Sequence, residues 1–187
     1  PEKSLVPYVI NDVKVYTNYS IESKEEYKDT AQVEEIKFLQ NEIFFKPKRL
    51  SPYVLIKPGD KYSPKLSKYT SRRLSNIGTY KFVNINYTEV DSVIKDGVRK
   101  LNADIYLSPL NKRALSLELQ GVTKSNNFAG PGLGVPYTNR NLFKGGELLR
   151  INTSFGYEKQ FSGGVSEGSS SLQLGTKTSL IFPRLLF

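Results

Sequence analysis

Residues 113–123 read Arg-Ala-Leu-Ser-Leu-Glu-Leu-Gln-Gly-Val-Thr, and residues 137–157 read Tyr-Thr-Asn-Arg-Asn-Leu-Phe-Lys-Gly-Gly-Glu-Leu-Leu-Arg-Ile-Asn-Thr-Ser-Phe-Gly-Tyr. From Arg113 to Tyr157 apolar and polar residues alternate, except that the pattern breaks at Tyr137 to Glu147 before it resumes. A period of two puts Leu115, Leu117 and Leu119 on one face of a strand and Ser116, Glu118 and Gln120 on the other. The spacing is that of a sheet with one greasy and one wet face.

Working outward, four strands are expected after Pro109: 113–123, 129–138, 147–161 and 170–182, joined at 124–127, 139–146 and 162–169. In the third, Leu149, Ile151, Thr153, Phe155 and Tyr157 oppose Arg150, Asn152, Ser154, Gly156 and Glu158. In the fourth, Leu172, Leu174, Thr176, Thr178 and Leu180 oppose Ser171, Gln173, Gly175, Lys177 and Ser179. About ten residues is the length a tilted strand needs to cross a bilayer. Two architectures fit: a soluble antiparallel sheet, or part of a membrane barrel with lipid outside and water inside. On pattern alone the soluble sheet leads, because it is commoner.

The first half has a different texture. Tyr8 to Tyr19 reads as a strand rich in β-formers. The charged segment 20–40 reads as an insertion or a short helix, and the pattern leaves both open. A short apolar segment, 52–56, precedes the turn Lys57-Pro58-Gly59-Asp60. Ser63 is a candidate N-cap and Pro64 a candidate first helical residue; Leu66, Tyr69 or Thr70, Leu74 and Ile77 recur at helical spacing up to Gly78. Two more strands follow, Tyr80 to Val90 and Leu101 to Leu107, around a polar turn at 91–97. The predicted order is strand, short helix, helix, strand, strand, with two helices on one face of a small sheet.

Composition narrows the chemistry. The 187 residues carry 27 basic and 18 acidic groups, a net charge of +9. The excess is spread, +4 over residues 1–111 and +5 over 112–187, and forms no clustered stripe of the kind nucleic-acid binding uses. Neither cysteine nor histidine is present, which removes disulfides, thiolate chemistry, the usual zinc ligands and the usual general base near neutral pH. No enzyme activity and no cofactor are expected. The chain begins at Pro1 and lacks methionine, so further sequence upstream is expected. No apolar run is long enough for a membrane-spanning helix.

Three weaker signals have ordinary readings. Gly130-Pro131-Gly132-Leu133-Gly134 lacks the strand and helix that flank a nucleotide loop, so its glycines are read as relieving crowding in a bent strand. The pairs Glu25-Glu26 and Glu34-Glu35 lie in a charged segment and read as solvated surface rather than acid/base machinery. Tyr137, Phe143, Tyr157 and Phe161 are read with equal weight as core packing or as an aromatic girdle at a membrane interface.

Certain words occur in a telling order: Ile56-Lys57-Pro58-Gly59-Asp60-Lys61-Tyr62-Ser63, then Asn76-Ile77-Gly78-Thr79-Tyr80-Lys81-Phe82-Val83, then Leu101-Asn102-Ala103-Asp104-Ile105-Tyr106-Leu107-Ser108-Pro109. They are followed by Ser125-Asn126-Asn127-Phe128-Ala129-Gly130, Tyr137 to Leu148, and Gly156-Tyr157-Glu158-Lys159-Gln160. This series resembles the BamA/TamA outer-membrane assembly family, most like the TamA-like lipoproteins of Bacteroidota.

The resemblance covers roughly residues 8–182 and reverses the preference for a soluble sheet. It implies an α+β POTRA domain over 1–110, with 20–40 as an insertion, followed over 111–187 by the first four antiparallel strands of a transmembrane β-barrel, a fragment of a larger chain. It further implies a non-enzymatic role in inserting or translocating outer-membrane proteins, with the N-terminal domain in the periplasm. Implied partners are unfolded outer-membrane clients, outer-membrane lipid and accessory assembly subunits. Two strand edges would engage clients by β-augmentation: a lateral-gate strand with Leu115, Ser116, Leu117, Glu118, Leu119 and Gln120, and a POTRA edge strand with Lys81, Val83, Ile85 and Tyr87. The alternative from another class is a soluble secreted β-rich binding module, adhesin-like, behind a small α+β domain.

Overall fold

The computed structural model describes residues 7–20, 27, 29–90, 98–161 and 168–183. The chain divides into two compact units. One comprises Pro1–Leu110 with Phe143–Gly146 and Pro183–Phe187; the other comprises Asn111–Leu142 and Glu147–Phe182.

In the first unit, β1 (Tyr8–Tyr16), β2 (Asp29–Val33), β3 (Ile36–Gln40), β4 (Tyr80–Glu89) and β5 (Arg99–Pro109) form one sheet in the order β2-β3-β1-β5-β4. β1 runs parallel to both of its neighbours, while the β2/β3 and β4/β5 pairs are antiparallel. Between β3 and β4 come the single-turn α1 (Pro47–Leu50), a 3-10 turn (Ser51–Tyr53) and α2 (Pro64–Asn76). α2 starts where the sequence places it: the Ser63 hydroxyl accepts from the Leu66 N–H, with Pro64 as first helical residue. It stops at Gly78, whose φ of +75° suits a residue without Cβ. Thr70, not Tyr69, takes the inward position, and its hydroxyl accepts from the Leu55 N–H at 3.1 Å.

One face of this sheet packs the core. Val13 and Val15 from β1, Phe38 from β3, and Ala103, Ile105 and Leu107 from β5 have no exposed surface, and Phe45, Leu50 and Leu74 join them. Burying a side chain of this size contributes about 1.5–3 kcal/mol. The alternation of β5 thus became the floor of the core.

Three expectations for this unit need correction. Of the insertion and the short helix left open for 20–40, only the helix is overturned: 29–40 is a hairpin, β2 and β3, turned at Glu34-Glu35 with Glu34 at φ +56°. The order therefore gains two strands ahead of α1, and the sheet has five strands rather than a small set. β1 ends at Tyr16, before Tyr19, because Thr17 is drawn inward, its buried hydroxyl donating to the Gln40 side-chain amide oxygen Oε1. The polar turn at 91–97, Glu25-Glu26 and most of the 162–169 connection lie outside the described residues.

The second unit is a sheet of β6 (Arg113–Leu115), β7 (Glu118–Thr123), β8 (Phe128–Arg140), β9 (Leu148–Gln160) and β10 (Ser170–Ile181), with β10-β9-β8 in sequence and both β6 and β7 on β8. All pairs are antiparallel. The expected first strand is thus present as two segments on one line, since Arg113↔Asn139, Leu115↔Tyr137 and Glu118↔Gly134 keep a single register. Among the described residues the sheet does not close into a barrel.

Candidate functional site

The register of the second unit sorts its side chains into rows. Leu119 lies beside Leu133, Leu133 beside Phe155, and Phe155 beside Leu174; Leu115, Tyr137, Ile151 and Thr178 form a second row on the same face. Nothing described covers this face. Leu115 is 69% exposed, Leu117 67%, Leu119 81%, Leu172 67% and Leu174 77%. Soluble monomers rarely leave so continuous an apolar patch in water.

The opposite face is polar, with glycines interspersed among its side chains. Its rows run Glu118, Gly134, Ser154, Gly175 and Gln120, Gly132, Gly156, Gln173. Crowding explains at least one of its glycines. A Cβ on Gly130 would collide with the Tyr157 carbonyl oxygen and sit 2.9 Å from the Glu158 Cα, so β8 and β9 approach closer there than any side chain allows. Next to it the Glu158 carboxylate, with only 6% of its side chain exposed, accepts from the Lys124 ammonium at 2.7 Å. Burial of that carboxylate is offset by the ion pair.

The predicted gate residues all lie on the β6–β7 line that pairs with β8 on the side away from β9. Leu115 closes β6, Glu118, Leu119 and Gln120 open β7, and Ser116 and Leu117 join them, all exposed. The Ser116 N–H donates to the Pro136 carbonyl (3.1 Å) and the Lys124 N–H to the Phe128 carbonyl (2.8 Å). Backbone groups in an antiparallel strand alternate sides, so even-numbered residues bond to β8 and the N–H and C=O of Leu115, Leu117, Leu119 and Gly121 face the open edge. The leucines therefore present apolar side chains and, among the described residues, an unpaired backbone from the same positions.

In the first unit, β4 ends the sheet on the side opposite β2. Val83, Ile85 and Tyr87 pack partly against the core, and Tyr87 is held by its hydroxyl contact with Ser67 Oγ and an edge-on contact with Tyr62 at 4.9 Å. Burial raises the Tyr87 phenol above its ordinary pKa, against the opposing effect of the Ser67 hydrogen bond. Lys81 does not share their face: a bulge between Tyr80 and Phe82 leaves it outside, its ammonium 5.1 Å from the centre of the Phe82 ring. What β4 offers outward is backbone.

Sequence reasoning missed the buried polar groups. Asn139, Asn141 and Glu147, at the ends of the β8–β9 connection, are 6% exposed or less, and the Leu142 N–H donates to the Glu147 carbonyl. Asn141 and Lys144 both adopt φ +61°, which the Asn-rich break at 137–147 could have signalled for Asn141. The Tyr80 hydroxyl is buried without a described hydrogen-bond partner, and desolvation holds its pKa well above the ordinary value. Of the four aromatics weighed for an interface girdle, Phe143, Tyr157 and Phe161 are exposed and Tyr137 is half-buried.

By sequence the chain matches no protein-family model and no curated protein. Among solved structures it is similar to BamA from Haemophilus ducreyi lacking POTRA domains 1–3, at 12% identity and a TM-score of 0.39, over 91% of this chain and 32% of that one. It is also similar to CdiB from Acinetobacter baumannii, at 13% identity and a TM-score of 0.44, over 81% of this chain and 24% of that one. The chain thus spans about a third and a quarter of those two chains.

Proposed function

We propose that this chain is part of an outer-membrane assembly or translocation factor, with 1–110 as a periplasmic POTRA-like domain and 111–187 as the opening strands of a membrane barrel. Clients would add a strand to the edge formed by β6 and β7, and the β4 edge would hold extended segments on the periplasmic side. The work is done by backbone hydrogen bonding and lipid contact, without a catalytic group or cofactor.

The observation that carries this reading is the uncovered leucine face beside an open backbone edge. Each exposed leucine forgoes about 1.5–3 kcal/mol of burial in water, and hydrocarbon restores it. Strand length agrees. β8 and β9 have 13 residues each, about 44 Å at 3.4 Å per residue, and a tilt near 45° projects that onto about 31 Å, the thickness of a bilayer core. The polar glycine-lined face then turns to the lumen. A soluble binding module would need a second layer over these leucines.

Depleting the protein in its host, with membrane fractions probed for other barrel proteins, tests the reading. Loss of folded client barrels is the expected result. Unchanged client levels, or a protein that stays in the soluble fraction and shows no heat-modifiable gel migration, would overturn it.

A further inference from the structure

The hairpin that enlarges the first unit creates an edge of its own. β2 is the terminal strand of the five-stranded sheet, at the end opposite β4. Val33 and Ile36 flank the two-residue turn and pair with each other, so β2 residues 29, 31 and 33 bond to β3 and alternation leaves the N–H and C=O of Thr30 and Gln32 on the open side. β2 is also a poor candidate for a blunted edge, because it carries no proline or lysine.

A groove of about 640 Å³ lies against this strand, within the size range of ligand pockets. Its apolar wall includes Val33, Ile43 and Pro47, and its rim carries Lys46, Lys48 and Lys144. Lys144 belongs to the same unit, where its carbonyl accepts from the Lys46 N–H at 2.8 Å. All three lysines are exposed, and among the described residues no carboxylate pairs with them.

We propose that β2 and this groove bind an extended acidic peptide segment, which adds to the sheet as a sixth strand. The Thr30 and Gln32 backbone supplies the hydrogen bonds. Every second side chain of the added strand falls on the groove side, where apolar residues meet Val33, Ile43 and Pro47 and carboxylates meet the lysine rim. The occupant is thus a strand alternating outward residues with an inward series of apolar and acidic ones. This surface is separate from the β4 and β6/β7 edges, and its test does not depend on membrane assembly activity.

The test is fluorescence anisotropy of the full-length protein in detergent with a labelled peptide of about nine residues, one strand in length, rich in glutamate and valine. A peptide with lysine replacing glutamate is the control, and vesicles of phosphatidylglycerol are a separate arm. The glutamate peptide should bind and the lysine peptide should not. Gln32→Pro, which removes one outward N–H at an edge that tolerates proline, should weaken binding at least about ten-fold with circular dichroism unchanged. Lys48→Glu combined with Lys144→Glu, both surface changes, should do the same. Equal affinity in the wild-type protein and both variants, or no peptide binding, would overturn the proposal. So would vesicle binding that the double lysine variant loses and Gln32→Pro keeps, since that pattern assigns the lysines to lipid headgroups.

Discussion

A proline at Leu117 and a proline one residue later should fail in different ways. The Leu117 N–H faces the open edge, so Leu117→Pro removes no bond to β8, and the protein's own stability should fall by less than about 1 kcal/mol. The Glu118 N–H faces β8 beside Gly134. Glu118→Pro deletes a ladder bond and leaves a β8 carbonyl without its donor, a cost of about 1–3 kcal/mol. For an incoming strand the ranking reverses. Losing the Leu117 donor removes a net 0.5–1.5 kcal/mol in water, roughly a two- to ten-fold effect, and leaves a client carbonyl unsatisfied at a cost of several kcal/mol in hydrocarbon. Two readouts separate the cases: the unfolding temperature of the variant in detergent, and the level of client barrels in cells. Leu117→Ala controls for the lost leucine. Wild-type client levels in Leu117→Pro, or equal stability of the two proline variants, would refute the reasoning.

Three further outcomes are expected. Gly130→Ala should separate β8 from β9 and cost about 3 kcal/mol, as two or so ladder bonds open, whereas Gly121→Ala, with nothing within 4 Å of the new Cβ, should change stability by less than about 0.5 kcal/mol; detergent melting curves compare them. Tyr80→Phe removes a buried hydroxyl without a described partner and should raise stability by about 1 kcal/mol in denaturant titrations. The Tyr16 phenol is pushed up to about 12, first by burial and then by the Asp104 charge, so the folded state keeps a proton that the unfolded chain releases near pH 10. That contribution is complete below pH 10 and is lost as pH rises to 12; ultraviolet titration of Asp104→Asn should show Tyr16 ionising earlier.

Much of this was legible because burial follows a simple period. The run Leu101, Ala103, Ile105, Leu107 announces its buried face, and Ser63-Pro64 with Gly78 announces both ends of α2. The hairpin of β2 and β3 was obscured because its turn is Glu34-Glu35, charged residues that carry none of the usual turn signals; the exposed Glu34 carboxylate lies 3.0 Å from the Lys57 ammonium. The Lys81 bulge was invisible for a related reason. One extra residue shifts the parity of a strand, and both parities near Tyr80 are apolar enough to be buried. Asn141 and Glu147 escaped notice because a buried polar residue is set by its partners, which no local pattern encodes. The candidate gate residues came from the family resemblance, and alternation only sorted their side chains to two faces; the property that makes them candidates is a backbone edge. That edge depends on which strand lies beside them and on which side is empty.

The central claim is that clients add to the edge of β6 and β7. This chain has no cysteine, so single cysteines can be placed at 115, 117, 119 and 121, with position 154 on the fully paired strand β9 as control, and oxidised against a client carrying a cysteine in its terminal strand. The account predicts cross-links from the four edge positions that shift in antiparallel register with the client cysteine, and none from position 154. Cross-links from position 154 as strong as those from the edge, or none from the edge, would contradict it.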